Sequence, residues 1–463
     1  MLTVTVPTVQ PGTRGVLPSM EPFTASVFAR SWFVLLLGSL VRVQWNTEVI
    51  ALAQQNDHVD VTIRQPDGAA QSIKSAWVAG CDGSRSAVRE MNGIAFSGAP
   101  YEHTFFVADT EATGPMKADE VNIYLWKDGF HLFFPMRGKN RWRVIGILPK
   151  ALRQSDELTF AEVVPAIQHE AGASLDFKEC AWFSTYRIHH RAAEKFRDRR
   201  CFLLGDAAHV HSPMGAQGMN TGLQDAYNLA WKLALVVNGR ADPALLDSYE
   251  QERLPVARRL LQTTDRAFQL IVSDGWLAGL FRTSVIAKVA ARAMTFERVR
   301  KLAFRTLSQI GISYPSSMLS QTLAQLHKDA PKAGDRFPWL RLKFQTGGPV
   351  EDLFQKLDDT CFNLVVFGQA ERAAEALGDL ADLLHIQFVP VEPTNAEELA
   401  RAKIPQPSYF LLRPDGHVGL SGSRFDASDV KSYLSDRVRL GNYGSASHSP
   451  AHELFNDVVR QKT

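Results

Sequence analysis

The stretch from Cys201 to Val237 reads CFLLGDAAHVHSPMGAQGMNTGLQDAYNLAWKLALVV, and the rest of the chain is interpreted from it. It begins with four apolar-leaning residues that stop at Gly205-Asp206, as a buried strand ending in a turn would. A loop rich in small residues follows, and after Gly218 apolar residues recur at helical spacing. The stretch therefore predicts a strand, an acidic turn, a glycine loop and an amphipathic helix.

The start of the predicted helix and the turn before it suit an anionic, hydroxyl-bearing ligand. The first-turn N–H groups of Gly218, Met219 and Asn220 have no partner within a helix, and the helix dipole favours negative charge there. The carboxylate of Asp206 suits the hydroxyl groups of a sugar-like chain. An ordinary strand-to-helix crossover is the alternative explanation of a glycine loop and a helix. Along the helix, Leu223, Ala226, Ala230, Leu233 and Val237 form the apolar side, with Asp225, Asn228 and Lys232 on the other side.

A second turn motif, VAGCDGSRSAVR, runs from Val78 to Arg89. Its strand is expected to end at Gly80 and a helix to begin near Ser84, whose hydroxyl is a suitable cap. An Asp-Gly pair is commonly only a tight turn, so the motif has no functional meaning by itself.

The first stretch, with GDAAH, PMGAQGMNTGLQDA and NLAWKL, closely resembles the second flavin-binding motif of the single-component, FAD-dependent aromatic hydroxylases. In that family the Gly-Asp pair binds the ribityl chain, and the proline loop with the helix start lies beside the reactive ring. Ala216 stands where the family often has glycine. The resemblance implies cofactor contacts at Gly205, Asp206, Pro213, Gly215, Gly218, Met219 and Asn220.

The second motif resembles the Asp-Gly motif of the same hydroxylases. The resemblance implies that Asp82 and Gly83 lie near the dinucleotide pyrophosphate and in the route of the nicotinamide donor. Arg89 matches the motif's terminal arginine, and Val49 falls where the family's adenine-contacting backbone lies. FAD is the implied cofactor, with NADH or NADPH as co-substrate. No catalytic residue can be named from the sequence.

Length and composition limit the number of domains and the kinds of partner. A chain of 463 residues with 45% hydrophobic residues predicts two to three domains with buried cores. With 51 Lys+Arg against 49 Asp+Glu and no long basic run, no nucleic-acid partner is expected. The cysteines are too scattered for a metal cluster or a disulfide framework, which favours a reducing, cytoplasmic setting. No metal site is predicted, and the histidines beside the motifs are interpreted as non-metal residues: His189, His190, His209 and His211.

The N-terminal segment from Met1 to Leu40 departs from the family pattern. The family begins with a strand, G-x-G-x-x-G and a helix, and this sequence contains no such fingerprint. We expect that unit to be lost or replaced, as in a truncated or frame-shifted gene product, so FAD should bind weakly. Trp32 to Leu37 is apolar but too short to span a bilayer, which predicts a buried segment and no stable membrane insertion; export is the minority interpretation.

Strand-like runs separated by short turns lie between the two motifs and predict an antiparallel sheet. The resemblance implies that this insertion is the substrate domain, which covers one wall of an aromatic pocket. Its aromatic residues line that wall or fill the core, and core filling is expected for most of them. The runs are Phe105 to Asp109, Val121 to Trp126, Phe130 to Met136 and Arg141 to Leu148, and the aromatic residues are Tyr124, Trp126, Phe133, Phe134 and Trp142.

The last part of the chain has its own alternation of strands and helices and resembles the thioredoxin-like C-terminal domain of phenol-type and polyketide-type hydroxylases. Pro407 matches that domain's cis-proline. Cys361 stands alone without a C-x-x-C partner, so a packing or dimerisation role is favoured over dithiol chemistry. Before this part, Pro255 is expected to bend or restart the helices that follow Gly239.

We therefore predict an α/β fold that contains an incomplete Rossmann-like FAD-binding domain, an antiparallel-sheet substrate domain and a thioredoxin-like domain. The predicted function is a monooxygenase that hydroxylates a phenolic or polycyclic aromatic compound with NAD(P)H and O2, and a homodimer is left open. The alternative is a catalytically impaired remnant that acts as a binding or dimerisation module. The predicted boundaries are an irregular N-terminus at 1–40, FAD binding at 41–93 and 186–330, substrate at 94–185, thioredoxin-like at 333–440 and a flexible tail at 441–463.

Overall fold

A computed structural model of the chain describes residues 3–7, 43–126, 129–153, 158–172, 174–211, 217–272, 289, 292–293, 295–323, 326–369 and 371–441. The strands before the Gly-Asp turn are Thr3–Pro7 (β1), Glu48–Gln54 (β2), Val59–Arg64 (β3), Ala70–Ser75 (β4), Val78–Gly80 (β5), Phe96–Thr113 (β6), Glu120–Trp126 (β7), Gly129–Pro135 (β8), Arg141–Ile147 (β9), Asp176–Ala193 (β10), Arg197–Asp198 (β11) and Cys201–Leu203 (β12). The later strands are His209–Val210 (β13), Gln321–Thr322 (β14), Arg341–Lys343 (β15), Val350–Asp352 (β16), Phe362–Phe367 (β17), Leu384–Val389 (β18), Ser408–Leu412 (β19) and Val418–Gly422 (β20). The helices are Ala87–Met91 (α1), Phe160–Ala171 (α2), Gly218–Val237 (α3), Asp247–Val272 (α4), Glu297–Leu307 (α5), Pro393–Ala402 (α6) and Ala427–Ser432 (α7).

A seven-stranded sheet in the order β1-β7-β8-β9-β6-β10-β13 forms the middle of the fold, and its neighbouring strands are antiparallel. The four strand-like runs read from the sequence lie in β6 to β9, which confirms this antiparallel sheet. Helix α2 covers one face. Since side chains alternate along a strand, each aromatic residue of β7 to β9 is assigned to one face by its position. Tyr124, Phe133 and Trp142 belong to the buried cluster under α2, whereas Phe134 lies on the opposite face.

A smaller sheet in the order β11-β12-β5 carries the two turn motifs, and β2, β3 and β4 form a separate antiparallel sheet before it. In the described part of the chain, β5 is the last strand on its side of the small sheet.

Helix α3 lies in the fold with the opposite face inward from the one that its sequence predicts. Its polar residues Asp225, Asn228 and Lys232 are at most 2% exposed. Leu223 and Val237, from the predicted apolar side, are 39% and 37% exposed. The cause is tertiary: buried charges on other elements pair with the polar side, and this pairing outweighs the local pattern.

Helix α4 is one continuous helix with Pro255 inside it, so, of the predicted bend or restart at this proline, the restart is wrong. Glu252 and Arg253, three and two residues before the proline, both form buried ion pairs with other elements. These pairs hold the turn that the proline would otherwise loosen. In the described residues, no helix has the length and apolar character needed to cross a membrane.

The C-terminal unit contains a five-stranded sheet in the order β14-β20-β19-β17-β18. Strand β17 is parallel to β18 and antiparallel to β19, and all of its residues are buried. The Gln406-Pro407 bond is cis, as the sequence predicts for Pro407. The unit packs on α3, where Trp231 contacts Phe362 ring to ring with centroids 5.6 Å apart.

Candidate cofactor site

The parallel pairing of β5 with β12 brings the two turn motifs together. Leu203 is the register partner of Gly80, and the Leu204 N–H donates to the Gly80 carbonyl at 3.0 Å. Because the carboxyl ends of parallel strands meet at one edge of a sheet, the loops that carry Asp82 and Asp206 leave from the same edge.

The Gly-Asp turn packs directly on the first half of α3. Gly205 has φ +57°, a left-handed conformation that glycine adopts without strain. A Cβ on Gly222 would lie 3.2 Å from the Gly205 Cα, which is a tight contact with backbone, whereas Gly205 favours glycine because of its left-handed conformation. The following residue, Asp206, is exposed, and in the described part of the chain its carboxylate has no hydrogen-bond partner.

Asp225 is the buried centre of this contact. Its Oδ2 accepts from the Gly205 N–H at 3.0 Å and is 2.7 Å from His209 Nε2, while its Oδ1 accepts from Arg253 Nε at 2.6 Å. Burial alone would raise the pKa of Asp225, but Arg253 and His209 outweigh burial and hold the pKa below its usual value. Sequence reasoning placed Asp225 on the outer side of the helix and missed this role.

Arg89 connects the two loops. It is 4% exposed, and it donates from Nη1 to the Ala207 carbonyl at 3.0 Å and from Nη2 to the Ser84 carbonyl at 2.9 Å. The Asp82 carboxylate accepts from the Val88 N–H at 3.0 Å, at the start of α1. Asp82 and Arg89 therefore fix the shape of the loop between β5 and α1. Gly83 lies in this loop with a left-handed backbone, φ +78°.

Helix α3 begins at Gly218, and among the described residues no side chain caps the free N–H groups of its first turn; Met219 is 54% exposed. Gln309, which follows α5, donates from Nε2 to Thr221 Oγ1 at 2.7 Å and is 5% exposed. Gln309 has a left-handed backbone, φ +57°. Nothing in the sequence around Gln309 indicates this conformation or its contact with Thr221. Pro213 and Gly215 lie outside the described residues.

Val49 and Arg191 lie in the other two sheets before the C-terminal unit. Val49 belongs to β2, where it pairs with Ile63 and packs against the large core. At the end of β10, Arg191 pairs in register with Val210 of β13. In the described part of the chain the buried Nε of Arg191 has no hydrogen-bond partner. Burial, with the charge of Arg191, lowers the pKa of His189.

An exposed carboxylate, a helix start without a side-chain cap and a left-handed glycine turn thus meet at one edge of a parallel strand pair. An arrangement of this kind is typical of one class of protein, the α/β proteins that bind an anionic, hydroxyl-bearing dinucleotide.

Comparison with known proteins identifies the family. Residues 37–264 match the FAD binding domain family. The chain is 31% identical over 442 residues to 6-methylpretetramide 4-monooxygenase of Streptomyces rimosus, covering 91% of this chain and 77% of that protein. It is 32% identical over 406 residues to pentachlorophenol 4-monooxygenase of Sphingobium chlorophenolicum, covering 81% and 71%. The structure of OxyS anhydrotetracycline hydroxylase from Streptomyces rimosus superposes with a TM-score of 0.66 at 26% identity, covering 88% and 78%.

The chain belongs to the family of FAD-dependent monooxygenases that act on aromatic compounds, and its cofactor is FAD. NAD(P)H is the typical co-substrate of this family. These findings confirm the family, the enzyme class and the cofactor that the two sequence motifs imply.

Proposed function

We propose that this protein hydroxylates a polycyclic phenolic compound, with the Gly205-Asp206 turn and the start of α3 as its flavin site. FAD, when bound, accepts hydride from NAD(P)H and activates O2, so that one oxygen atom enters the substrate and the other leaves as water. The observation that carries the proposal is the exposed Asp206 carboxylate, which has no hydrogen-bond partner in the described residues and lies on the turn that packs against α3.

The residues present fit the cofactor group by group. Asp206 would accept hydrogen bonds from the ribityl hydroxyls. The N–H groups of Gly218, Met219 and Asn220 would face the ring, where the helix start stabilises negative charge. The Asp82 carboxylate already accepts from Val88, so the backbone at Gly83, rather than this carboxylate, would lie nearest the pyrophosphate.

Arg191 is available to a further anion. Its buried Nε lacks a partner in the described residues, and an unpaired buried donor costs about 1–3 kcal/mol. A phosphate of FAD or of the nicotinamide donor would satisfy this donor. Val49 remains the proposed position of the adenine contact.

The face of the large sheet opposite α2 is the proposed substrate wall. It carries the half-buried apolar side chains of Leu132, Phe134 and Ile145. At its margin Arg143 donates to both oxygens of Asp109 at 2.7 Å each, so this ion pair is preformed. An apolar wall with a polar margin suits a fused-ring phenol. Relatives named for 6-methylpretetramide and pentachlorophenol support this substrate class.

The finer domain assignment is also part of the proposal. The order of β17, β18, α6, β19, β20 and α7 along the chain supports a thioredoxin-like C-terminal unit. Strand β1 (Thr3–Pro7) lies in the N-terminal segment that the sequence predicts to be irregular. We retain the other predicted domain boundaries, an incomplete Rossmann-like FAD-binding unit, a cytoplasmic location and a homodimer as proposals.

A binding or dimerisation module without turnover is the second candidate function. Such a module would keep the FAD-binding fold, so the two candidates differ in whether a phenol drives NAD(P)H oxidation. The test is to supply the purified protein with FAD, NAD(P)H, O2 and a fused-ring phenol. Phenol-dependent NAD(P)H oxidation with one oxygen atom added to the product supports the monooxygenase. Saturable FAD binding without phenol-dependent oxidation supports the module.

A further inference from the structure

Four charged side chains are buried between α3, α4 and the C-terminal unit. Lys232, Glu252, Arg413 and Asp415 are between 0% and 5% exposed, and we call them the interface network. Burying charges is costly unless they are paired and hydrogen-bonded. Their pairing therefore determines how these elements can pack.

Arg413 is the centre of the interface network. Its Nη1 and Nη2 donate to the two carboxylate oxygens of Glu252 at 2.6 and 3.0 Å, and its Nε donates to Asp415 Oδ1 at 3.1 Å. Lys232 donates from Nζ to Glu252 Oε2 at 2.8 Å. One guanidinium thus bonds a carboxylate of α4 and a carboxylate of its own turn, a geometry that lysine cannot reproduce.

The turn from Arg413 to His417 also bonds α3 directly. Asp415 Oδ2 accepts from Trp231 Nε1 at 3.2 Å and from Asn228 Nδ2 at 3.3 Å. The Pro414 carbonyl accepts from the Tyr227 hydroxyl at 3.0 Å. Three α3 side chains within two helical turns therefore donate to one turn of the C-terminal unit.

The polar contacts continue from this turn to the flavin end of α3. Arg253, next to Glu252 in α4, donates to Asp225 and, from Nη1, to the Tyr314 hydroxyl at 2.8 Å. The Tyr314 ring packs on the His417 ring with centroids 4.5 Å apart. Asp225 in turn holds the Gly205 N–H.

Helix α3 is held by buried apolar residues, Leu229, Trp231 and Val236, and by the polar side chains that bond other elements, while several of its other apolar residues are exposed. Its exposed apolar residues are Met219 at 54%, Leu223 at 39%, Tyr227 at 43% and Val237 at 37%. We infer that the Arg413–His417 turn of the C-terminal unit is a positioning element of the flavin site, which fixes α3 so that its first turn and Gly205-Asp206 meet FAD. This inference rests on the proposed flavin site.

Two variants test it in the full chain. Asp415→Asn keeps the shape of the side chain but removes the charge that Arg413 and the α3 donors share. Tyr227→Phe removes only a hydroxyl from a half-exposed residue, so it should fold. Asn395→Ala is the matched control, because Asn395 is 1% exposed and bonds Lys343 within the C-terminal unit.

The readouts are the FAD dissociation constant and the visible circular dichroism of the bound flavin. Asp415→Asn should raise Kd about tenfold, within the usual range of coupling between two sites, and Tyr227→Phe about twofold to threefold. Both should alter the flavin dichroism, whereas Asn395→Ala should lower only the melting temperature.

Folded Asp415→Asn and Tyr227→Phe proteins with wild-type Kd and dichroism would overturn the inference, as would an equal effect of Asn395→Ala. If Asp415→Asn does not fold, Tyr227→Phe alone decides. A wild-type chain without saturable FAD binding would instead overturn the proposed flavin site, and the inference with it.

Discussion

The backbone N–H of Gly205 donates to Oδ2 of Asp225 at 3.0 Å, although the two residues lie on different elements. The bond fixes the Gly-Asp turn against α3. The same carboxylate also accepts from Arg253 on α4, so one buried side chain aligns the turn and two helices. The local shape of the flavin site thus depends on a residue that we do not expect to touch the flavin.

Asp225→Asn should destabilise the whole protein by about 3–5 kcal/mol, because it leaves the fully buried Arg253 without a full counter-charge. Asp206→Ala, at an exposed position, should change stability by less than about 0.5 kcal/mol. Urea unfolding of the two variants measures the difference. Equal stability of the Asp225→Asn and wild-type proteins would show that the Asp225 contacts do not stabilise the fold.

Gly222→Ala tests the close approach of the turn to α3. The added Cβ would lie 3.2 Å from the Gly205 Cα, and overpacking of this kind costs about 1–3 kcal/mol. Replacing glycine within a helix offsets about 1 kcal/mol of that cost, so we expect a net destabilisation of at most about 2 kcal/mol. Because the turn must move, FAD affinity should fall as well. Ala226→Ser, at an exposed position on the same helix, is the control and should change neither quantity. A Gly222→Ala protein with wild-type melting and FAD affinity would contradict the packing described for Gly205.

The sequence predicts the elements of this fold better than their contacts. Strands β6 to β9 follow from alternation and turn residues, because those signals are local. Burial of Asp225 and Lys232 could not be predicted, since their partners Arg253, Glu252 and Arg413 lie far along the chain. A polar residue on a helix normally indicates the solvent side, and only the tertiary pairing reverses that rule here.

In the proposed flavin site, too, residues within one motif can be predicted from the sequence, whereas contacts between distant segments cannot. Asp206 and Gly218 can be predicted as site residues because their motif is contiguous. Gln309 was missed, since nothing near it in the sequence indicates contact with Thr221.

The contribution of Lys232 to the free energy of unfolding should change with pH in the alkaline range. Burial lowers its pKa to about 8, despite the opposing effect of Glu252. A lysine with a lowered pKa binds fewer protons in the folded than in the unfolded state, so its contribution to stability rises as pH increases from about 8 towards about 10.4. The wild type should therefore gain stability relative to Lys232→Met over that range, by at most about 1.4 kcal/mol per pH unit. A difference between the two proteins that stays constant from about pH 7 to about pH 10 would count against this pKa.

The most direct test of the proposed flavin site is a titration of three proteins with FAD, monitored by flavin fluorescence: the wild type, Asp206→Ala and Glu397→Ala. Glu397 is an exposed acid of the C-terminal unit without a hydrogen-bond partner in the described residues, which makes it the matched control. We expect saturable binding to the wild type and to Glu397→Ala. We expect affinity to fall at least about tenfold in Asp206→Ala, because a hydrogen bond to a charged group contributes about 1.5–3 kcal/mol. Wild-type affinity in Asp206→Ala, or no saturable binding to the wild type, would contradict the assignment of the flavin to this turn.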